Sequence, residues 1–204
     1  MRALLIAYLK QAVTGLPRKN SKFQMNRWKI VSQKTILKDK LFDVVKIDFE
    51  DEQGKKKTHN IVEKSPVVCV LPLTNYYDIY LISQYRYMLK KTVLEAVAGY
   101  VEEGETALAA AKRELEEEAG ITAHQLEEIA RVEVAASVVK GKVHLFLAKG
   151  LEVGRSNPED DEDISIVKMP LKTAVEKVIS GEINHSASMI GILLLDKLKS
   201  EKRL

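Results

Sequence analysis

The 204-residue chain has a single cysteine, so no disulfide can form within it and a small cross-linked scaffold is excluded. Such thiol usage suits a reducing compartment, and a cytoplasmic protein is expected. Long hydrophobic runs are also missing. The apolar stretch at residues 3–9 is far short of the roughly 20 residues a membrane-spanning helix needs. It follows Arg2 in the manner of a signal peptide, but no small-x-small cleavage site follows it, so that reading is set aside. No membrane partner is expected. A large excess of one charge is absent as well: the net charge is +3 with 30% charged residues. That mixed surface argues against a dedicated nucleic-acid binder. Internal repeats and low-complexity linkers are lacking. A hydrophobic content of 46% marks an ordinary globular chain with length enough for a real core.

What is present divides into three parts. Residues 1–24 read unlike the rest and are expected to be an extension, helical or disordered, with Met25 an alternative start of translation. Residues 25–64 carry a β pattern. Residues 28–31 form one candidate strand, and Phe42, Val44, Ile47 and Phe49 sit in a run of near period two. Residues 51–54 give a turn, and 57–62 return as a hairpin. Residues 65–204 form the main domain. Residues 67–73 are wholly apolar, as in a strand buried on both faces, and Cys69 within them reads as core rather than nucleophile. Further strands are expected at 78–84, 93–98, 129–136, 142–148 and 164–169, and helices at 170–179 and 187–199.

The most informative stretch is 99–121, GYVEEGETALAAAKRELEEEAGI. Thr106 can cap a helix, Leu108, Ala111, Leu115 and Ala119 supply an apolar stripe, and Gly120 ends it. Glu114, Glu117 and Glu118 fall at i, i+3 and i+4 and so share a face, with Glu116 close by. They crowd the last turns, where the helix dipole is negative and each acid costs about 0.3–1 kcal/mol. A divalent cation is the simplest remedy, since Mg²⁺ prefers oxygen ligands and is often shared between carboxylates and substrate phosphates. Arg113, four residues before Glu117, can pair with it.

The string fits G-x5-E-x7-R-E-U-x-E-E-x-G-U, where U is apolar. Gly99, Glu105, Arg113, Glu114, Glu117, Glu118 and Gly120 fill its fixed places, and Leu115 and Ile121 its apolar ones. It resembles the box of the Nudix hydrolases. Residues 83–86 (SQYR), 94–99 (LEAVAG), the acidic run at 157–163 and residues 181–187 (GEINHSA) extend the resemblance to the ADP-ribose pyrophosphatase branch, over most of the chain.

That resemblance implies an α/β fold. It would be an α/β/α sandwich around a mixed sheet, preceded by a small antiparallel β region. It implies a homodimer in which that β region serves the partner's site. The implied activity is Mg²⁺-dependent hydrolysis of a nucleoside diphosphate sugar, with Mn²⁺ able to substitute. Glu114, Glu118 and the Ala98 carbonyl would hold metal, and Glu117 would be a further ligand or catalytic acid. In the acidic loop Glu162 would touch metal, with Asp160 or Asp161 as the base that activates water. Gly99 and Gly104 would let the loop turn close to the metals. Arg86 would meet the substrate's phosphates or make an ordinary surface salt bridge, and Glu95 would lie near the metals. Trp28 would stack the base or pack within the β region.

One departure is plain. The branch carries Pro-Gly shortly after the box, and Ala136 and Ser137 stand there, followed by Val138-Val139-Lys140-Gly141. This leaves GDP-mannose, a dinucleotide or an RNA 5′ end open as the diphosphate. A non-catalytic ligand-binding relative is a third reading, against which the complete box counts.

Overall fold

Local alternation sets the strands, and their pairing sets the site. The structure is a computed structural model that describes residues 28–156 and 163–204. Strands β1 (Lys29–Lys38), β2 (Phe42–Glu50) and β3 (Lys56–Lys64) form an antiparallel meander. Val45 and Ile47 of β2 are its buried residues, whereas every residue of β1 is exposed. β4 (Val67–Pro72), β7 (Val97–Tyr100), β8 (Ile121–Ala135) and β9 (Val139–Val153) complete a seven-stranded sheet with the meander. β9 runs parallel to both β3 and β4 and antiparallel to β8, so the sheet is mixed. A second sheet has the order β10-β5-β6, with β5 spanning Asp78–Arg86, β6 Lys91–Glu95 and β10 Ile164–Pro170.

β4 is apolar on both faces because both are covered. Val68 and Val70 pack with Ala110, Ala111 and Leu115 of helix α1 (Ala107–Ala119). Cys69 and Leu71 pack with Leu171 and Ala174 of α2 (Leu171–Ile179) and with Ile192 and Leu195 of α3 (Ser186–Ser200). The result is the expected α/β/α arrangement. No described helix is long and apolar enough to cross a membrane.

Helix α1 begins and ends as its sequence dictates. The Thr106 hydroxyl accepts from the Ala109 N–H at 3.2 Å, and Gly120 closes the helix at φ 61°. A Cβ at Gly120 would lie 2.4 Å from the Arg155 carbonyl carbon, so space as well as conformation requires glycine. The apolar stripe needs one correction: Leu108 is 43% exposed, and Ala110 takes the inward place. The core-facing stripe is therefore small, Ala110, Ala111, Leu115 and Ala119, and lets the helix lie close to the sheet.

Two strand expectations also change. The run at 93–98 is two strands in different sheets, with Ala96 at the crossing. Periodicity shows that a chain is extended, not which neighbour it pairs with. The strand expected at 129–136 begins at Ile121, straight after the helix.

Within β8 the register slips between Glu128 and Ala130. In a regular strand Glu128 and Arg131 would face opposite ways; the slip brings them together. Arg131 donates to both Glu128 carboxylate oxygens at 2.6 and 2.8 Å, and the His144 ring bonds Glu128 at 2.7 Å. Arg131 first, then His144, holds the Glu128 carboxyl down at about 2. A carboxyl lowered in the folded state stabilises above its unfolded value, and that contribution fades as pH falls through the folded one. Glu128→Gln should therefore cost about 1 kcal/mol near neutrality, since Arg131 is largely exposed. The difference in melting temperature from the parent should close as pH falls from about 4.5 toward 2. A difference constant across that range would count against the pairing.

Candidate active site

β7 is an edge strand, and its outer side is where the site forms. It pairs with β4 through Val67↔Tyr100, Val68↔Gly99 and Cys69↔Ala98, and Val101 N–H continues the ladder to the Pro66 carbonyl. In an antiparallel pair successive residues point their backbone groups alternately inward and outward. Val97, Gly99 and Val101 turn inward, so Ala98 and Tyr100 present N–H and C=O to the open edge. Helix α1 answers both. The Ala98 N–H donates to Glu118 Oε2 at 3.0 Å, and the Tyr100 carbonyl accepts from Arg113 Nη2 at 3.0 Å. Between them on the same edge lies the Ala98 carbonyl.

Gly99 explains how the helix approaches so closely. A Cβ there would fall 1.9 Å from Glu114 Oε1, so the Glu114 carboxylate occupies the volume any other side chain would need. Glu114 and Glu118 thus both lie against the Ala98–Gly99 stretch of β7. Neither lies in bulk water: Glu118 is 3% exposed, and the Glu114 side chain 12%. Glu117 is the outlying member of the acidic face, its side chain 47% exposed.

Arg113 ties the box together. It forks onto Glu105 through Nε and Nη2, both at 3.1 Å, and gives Nη1 to Glu114 at 2.7 Å and to Glu117 at 3.0 Å. Hydrogen bonding to Glu105 is the leading reason its guanidinium is held even more firmly charged than usual. In return Arg113 draws the Glu105 carboxyl below its ordinary range. This arginine offsets the repulsion among acids at the negative end of the helix. Gly104 takes φ 81° in the turn before the helix, a left-handed conformation that favours glycine.

The next layer is Arg86 and Glu95. Arg86 gives Nε and Nη2 to Glu95 Oε2 at 3.0 and 2.6 Å. Glu95 is 5% exposed, whereas the Arg86 side chain is 39% exposed. The arginine is thus anchored at its root with part of its guanidinium facing outward. Burial first, then the charges of Glu95 and Glu118, pushes the Cys69 thiol up to about 12. A fully buried thiol held in its neutral form reads as core, as expected, and not as a nucleophile.

Trp28 is elsewhere. Its ring carries the Lys57 ammonium 4.3 Å from the centroid, at the turn end of the β2–β3 hairpin. β3 and β4 both run parallel to β9, and Lys57 precedes Val68, the partner of Gly99, by eleven residues. At about 3.3 Å per residue the separation from Gly99 reaches up to roughly 35 Å. The acids Asp160, Asp161 and Glu162 lie outside the described residues, as do residues 1–24. Among the described residues no group of three or more His, Cys, Asp or Glu is gathered tightly enough to hold a metal by itself. Glu114, Glu118 and the Ala98 carbonyl form instead a mixed set of hard oxygen donors, which fits Mg²⁺ or Mn²⁺ with the remaining positions left to water or phosphate.

Two features escaped the sequence reading. Where the branch has its Pro-Gly loop, residues 136–138 make a short turn between β8 and β9. That hairpin docks on β3 through the Val62 N–H to Val138 carbonyl bond at 2.9 Å and the Lys140–Glu63 ion pair. Behind the site, Ser188 in the first turn of α3 accepts from the Ala96 N–H at the crossing and is bonded in turn to His185. A serine in the first turn of a helix is too common a signal to have pointed there.

An acid-bearing helix laid on a sheet edge, with an arginine hub and a glycine that admits a carboxylate, defines a Nudix-type hydrolase site. The chain belongs to the Nudix family: it matches the NUDIX domain over residues 63–186. Within that family it falls in the ADP-ribose pyrophosphatase branch and is a pyrophosphohydrolase. It is 33% identical to the ADP-ribose pyrophosphatase of Bacillus subtilis (strain 168) over 174 residues, 82% of this chain and 94% of that one. Identity to the methanol dehydrogenase activator of Bacillus methanolicus is 30% over the same shares. A crystal structure of an ADP compounds hydrolase superposes with a TM-score of 0.75, covering 87% of this chain and 97% of its own, at 23% identity. Nudix hydrolases generally use divalent metal ions.

Proposed function

We propose that the chain is a Mg²⁺-dependent pyrophosphatase that hydrolyses ADP-ribose or a related nucleoside diphosphate sugar to a nucleoside monophosphate and a sugar phosphate. The observation that carries this is the pair of carboxylates at the outer edge of β7, Glu118 bonded to the Ala98 N–H and Glu114 lying against Gly99. Names of relatives, ADP-ribose pyrophosphatase and ADP compounds hydrolase, favour an ADP-linked substrate. When bound, Mg²⁺ would neutralise the diphosphate and lower the pKa of water beside it. The chain's own part is to fix the carboxylates through Arg113, to present the Ala98 carbonyl, and to meet the substrate's phosphates with Arg86. Glu117 and the acids Asp160, Asp161 and Glu162 are the candidates to accept the proton of the attacking water. A panel of nucleotide sugars with Mg²⁺ and Mn²⁺ tests the proposal. Metal-dependent release of a nucleoside monophosphate is expected, and absence of turnover on every diphosphate would defeat it.

A second reading, hydrolysis of GDP-mannose, a dinucleotide or an RNA 5′ end, is favoured by the tight turn at 136–138 where the branch has an open loop. Relative rates over the same panel, with a 5′-diphosphate RNA added, separate the two. A homodimer is also proposed. β1 exposes Ile30, Val31, Ile36 and Leu37, an uncovered apolar edge of the kind that pairs with another chain. In that dimer Trp28, at the turn end of the β2–β3 hairpin, would serve the partner's site. Sedimentation should give twice the chain mass.

Arg86 supplies a graded test. Arg86→Ala should raise KM about tenfold through a lost phosphate contact. It should also destabilise the fold by about 2 kcal/mol, because Glu95 is left buried without its partner. Adding Glu95→Gln should recover the stability and leave KM high. Recovery of both would make Arg86 a structural residue only.

A further inference from the structure

Ala96 is where the chain leaves one sheet and enters the other, two residues before Ala98. Its N–H has no strand partner; it donates to the Ser188 hydroxyl at 2.9 Å, across 92 residues of sequence. Ser188 is fully buried. Its own proton is therefore available for one acceptor, and the His185 Nδ1 lies 2.8 Å away. When the hydroxyl donates to Nδ1, the imidazole is neutral with its proton on Nε2. Burial, as the leading cause, and the nearby Arg86 charge both depress the His185 pKa, with Glu95 opposing them. Both causes favour the neutral ring that can accept from the Ser188 hydroxyl. The second turn of α3 is held close to the sheet, since Gly191 leaves room for Leu71 where a Cβ would lie 2.5 Å from it.

We propose that Ser188 is a positioning residue for the metal site: oriented by His185, it fixes Ala96 at the sheet crossing and thereby holds the Ala98 carbonyl in place beside Glu118. This rests on the metal-dependent reading given above. The Ala98 N–H bond to Glu118 and the pairing of β7 with β4 set the carbonyl's direction. The crossing two residues before it lies outside both ladders, a point where the backbone gains freedom to rotate. The Ser188 bond removes that freedom from the side of the sheet opposite to α1. Neither residue touches substrate in this arrangement; both act through the backbone.

The test is Mn²⁺ binding to the full chain, read from the electron paramagnetic resonance of free Mn²⁺, with thermal melting alongside. Ser188→Ala should weaken Mn²⁺ binding about tenfold. Leu195→Ala, an equally buried position farther along α3, should lower the melting temperature comparably and leave Mn²⁺ binding at the parent value. If both variants weaken the metal alike, or if Ser188→Ala binds as the parent does, the proposal is overturned. Should Ser188→Ala fail to fold, His185→Ala and His185→Asn decide. Asparagine keeps an acceptor for the Ser188 hydroxyl, so it should restore most of the affinity that alanine loses; equal affinity in the two would overturn the proposal. A parent that binds no Mn²⁺, or binds it no better than Glu118→Gln, would instead defeat the metal reading itself.

Discussion

Glu118→Gln is expected to leave a folded protein whose hydrolysis of a nucleotide sugar is slower by about a thousandfold or more, the scale seen when a preorganised charge is removed from a reacting centre. The side chain keeps its shape, and its amide oxygen can still accept from the Ala98 N–H, so the melting temperature should change little. What disappears is a buried negative charge. Glu118 is 3% exposed, and such a charge is costly unless a cation or a strong donor answers it. Loss of that charge should therefore weaken Mn²⁺ binding and abolish turnover together, while substrate protection in binding assays largely persists. Full activity in Glu118→Gln at saturating Mg²⁺ would mean that this carboxylate is structural.

Gly99→Ala should be nearly as damaging, for a steric reason. Its backbone needs no left-handed conformation, so the single methyl is the whole perturbation. That methyl would lie 1.9 Å from Glu114 Oε1 and 2.0 Å from its carboxyl carbon. Either the carboxylate swings away or the helix lifts from β7. Helix movement would also stretch the Glu118–Ala98 and Arg113–Tyr100 bonds. A displacement of about 1 Å at a reacting centre costs roughly a hundredfold in rate. Activity should fall by at least that much, with KM for the nucleotide sugar changed less than kcat. Glu114→Ala placed on top of Gly99→Ala should relieve the clash and raise the melting temperature, but not the activity. No recovery of stability in that double variant would show that the strain lies elsewhere.

The local features were legible because they are fixed by neighbours in sequence. Thr106 and Gly120 bracket the helix, and the period-two run at 42–49 became β2. The pairing of Arg113 with Glu117 followed from helical spacing. Arg86 could not be decided from sequence between phosphate contact and salt bridge, since its partner Glu95 stands on the next strand of a hairpin and its outward face depends on how deep that hairpin sits. The apolar stripe on α1 misled at Leu108, because the inward direction was set by where the small alanines meet the sheet.

Sequence by itself determined the chemistry available: a cation-seeking set of acids, an arginine to restrain them, and a glycine ahead of the helix. It did so because each of those is a matter of residue type at fixed spacing along one short segment. The resemblance already named the Ala98 carbonyl; what only the tertiary structure decided is how that carbonyl is turned outward and what ties down the strand before it. Edge-strand alternation turns Ala98 outward, β4 supplies the ladder that enforces this, and a helix from the far end of the chain ties down the crossing. Those are long-range pairings, and residue spacing carries no record of them.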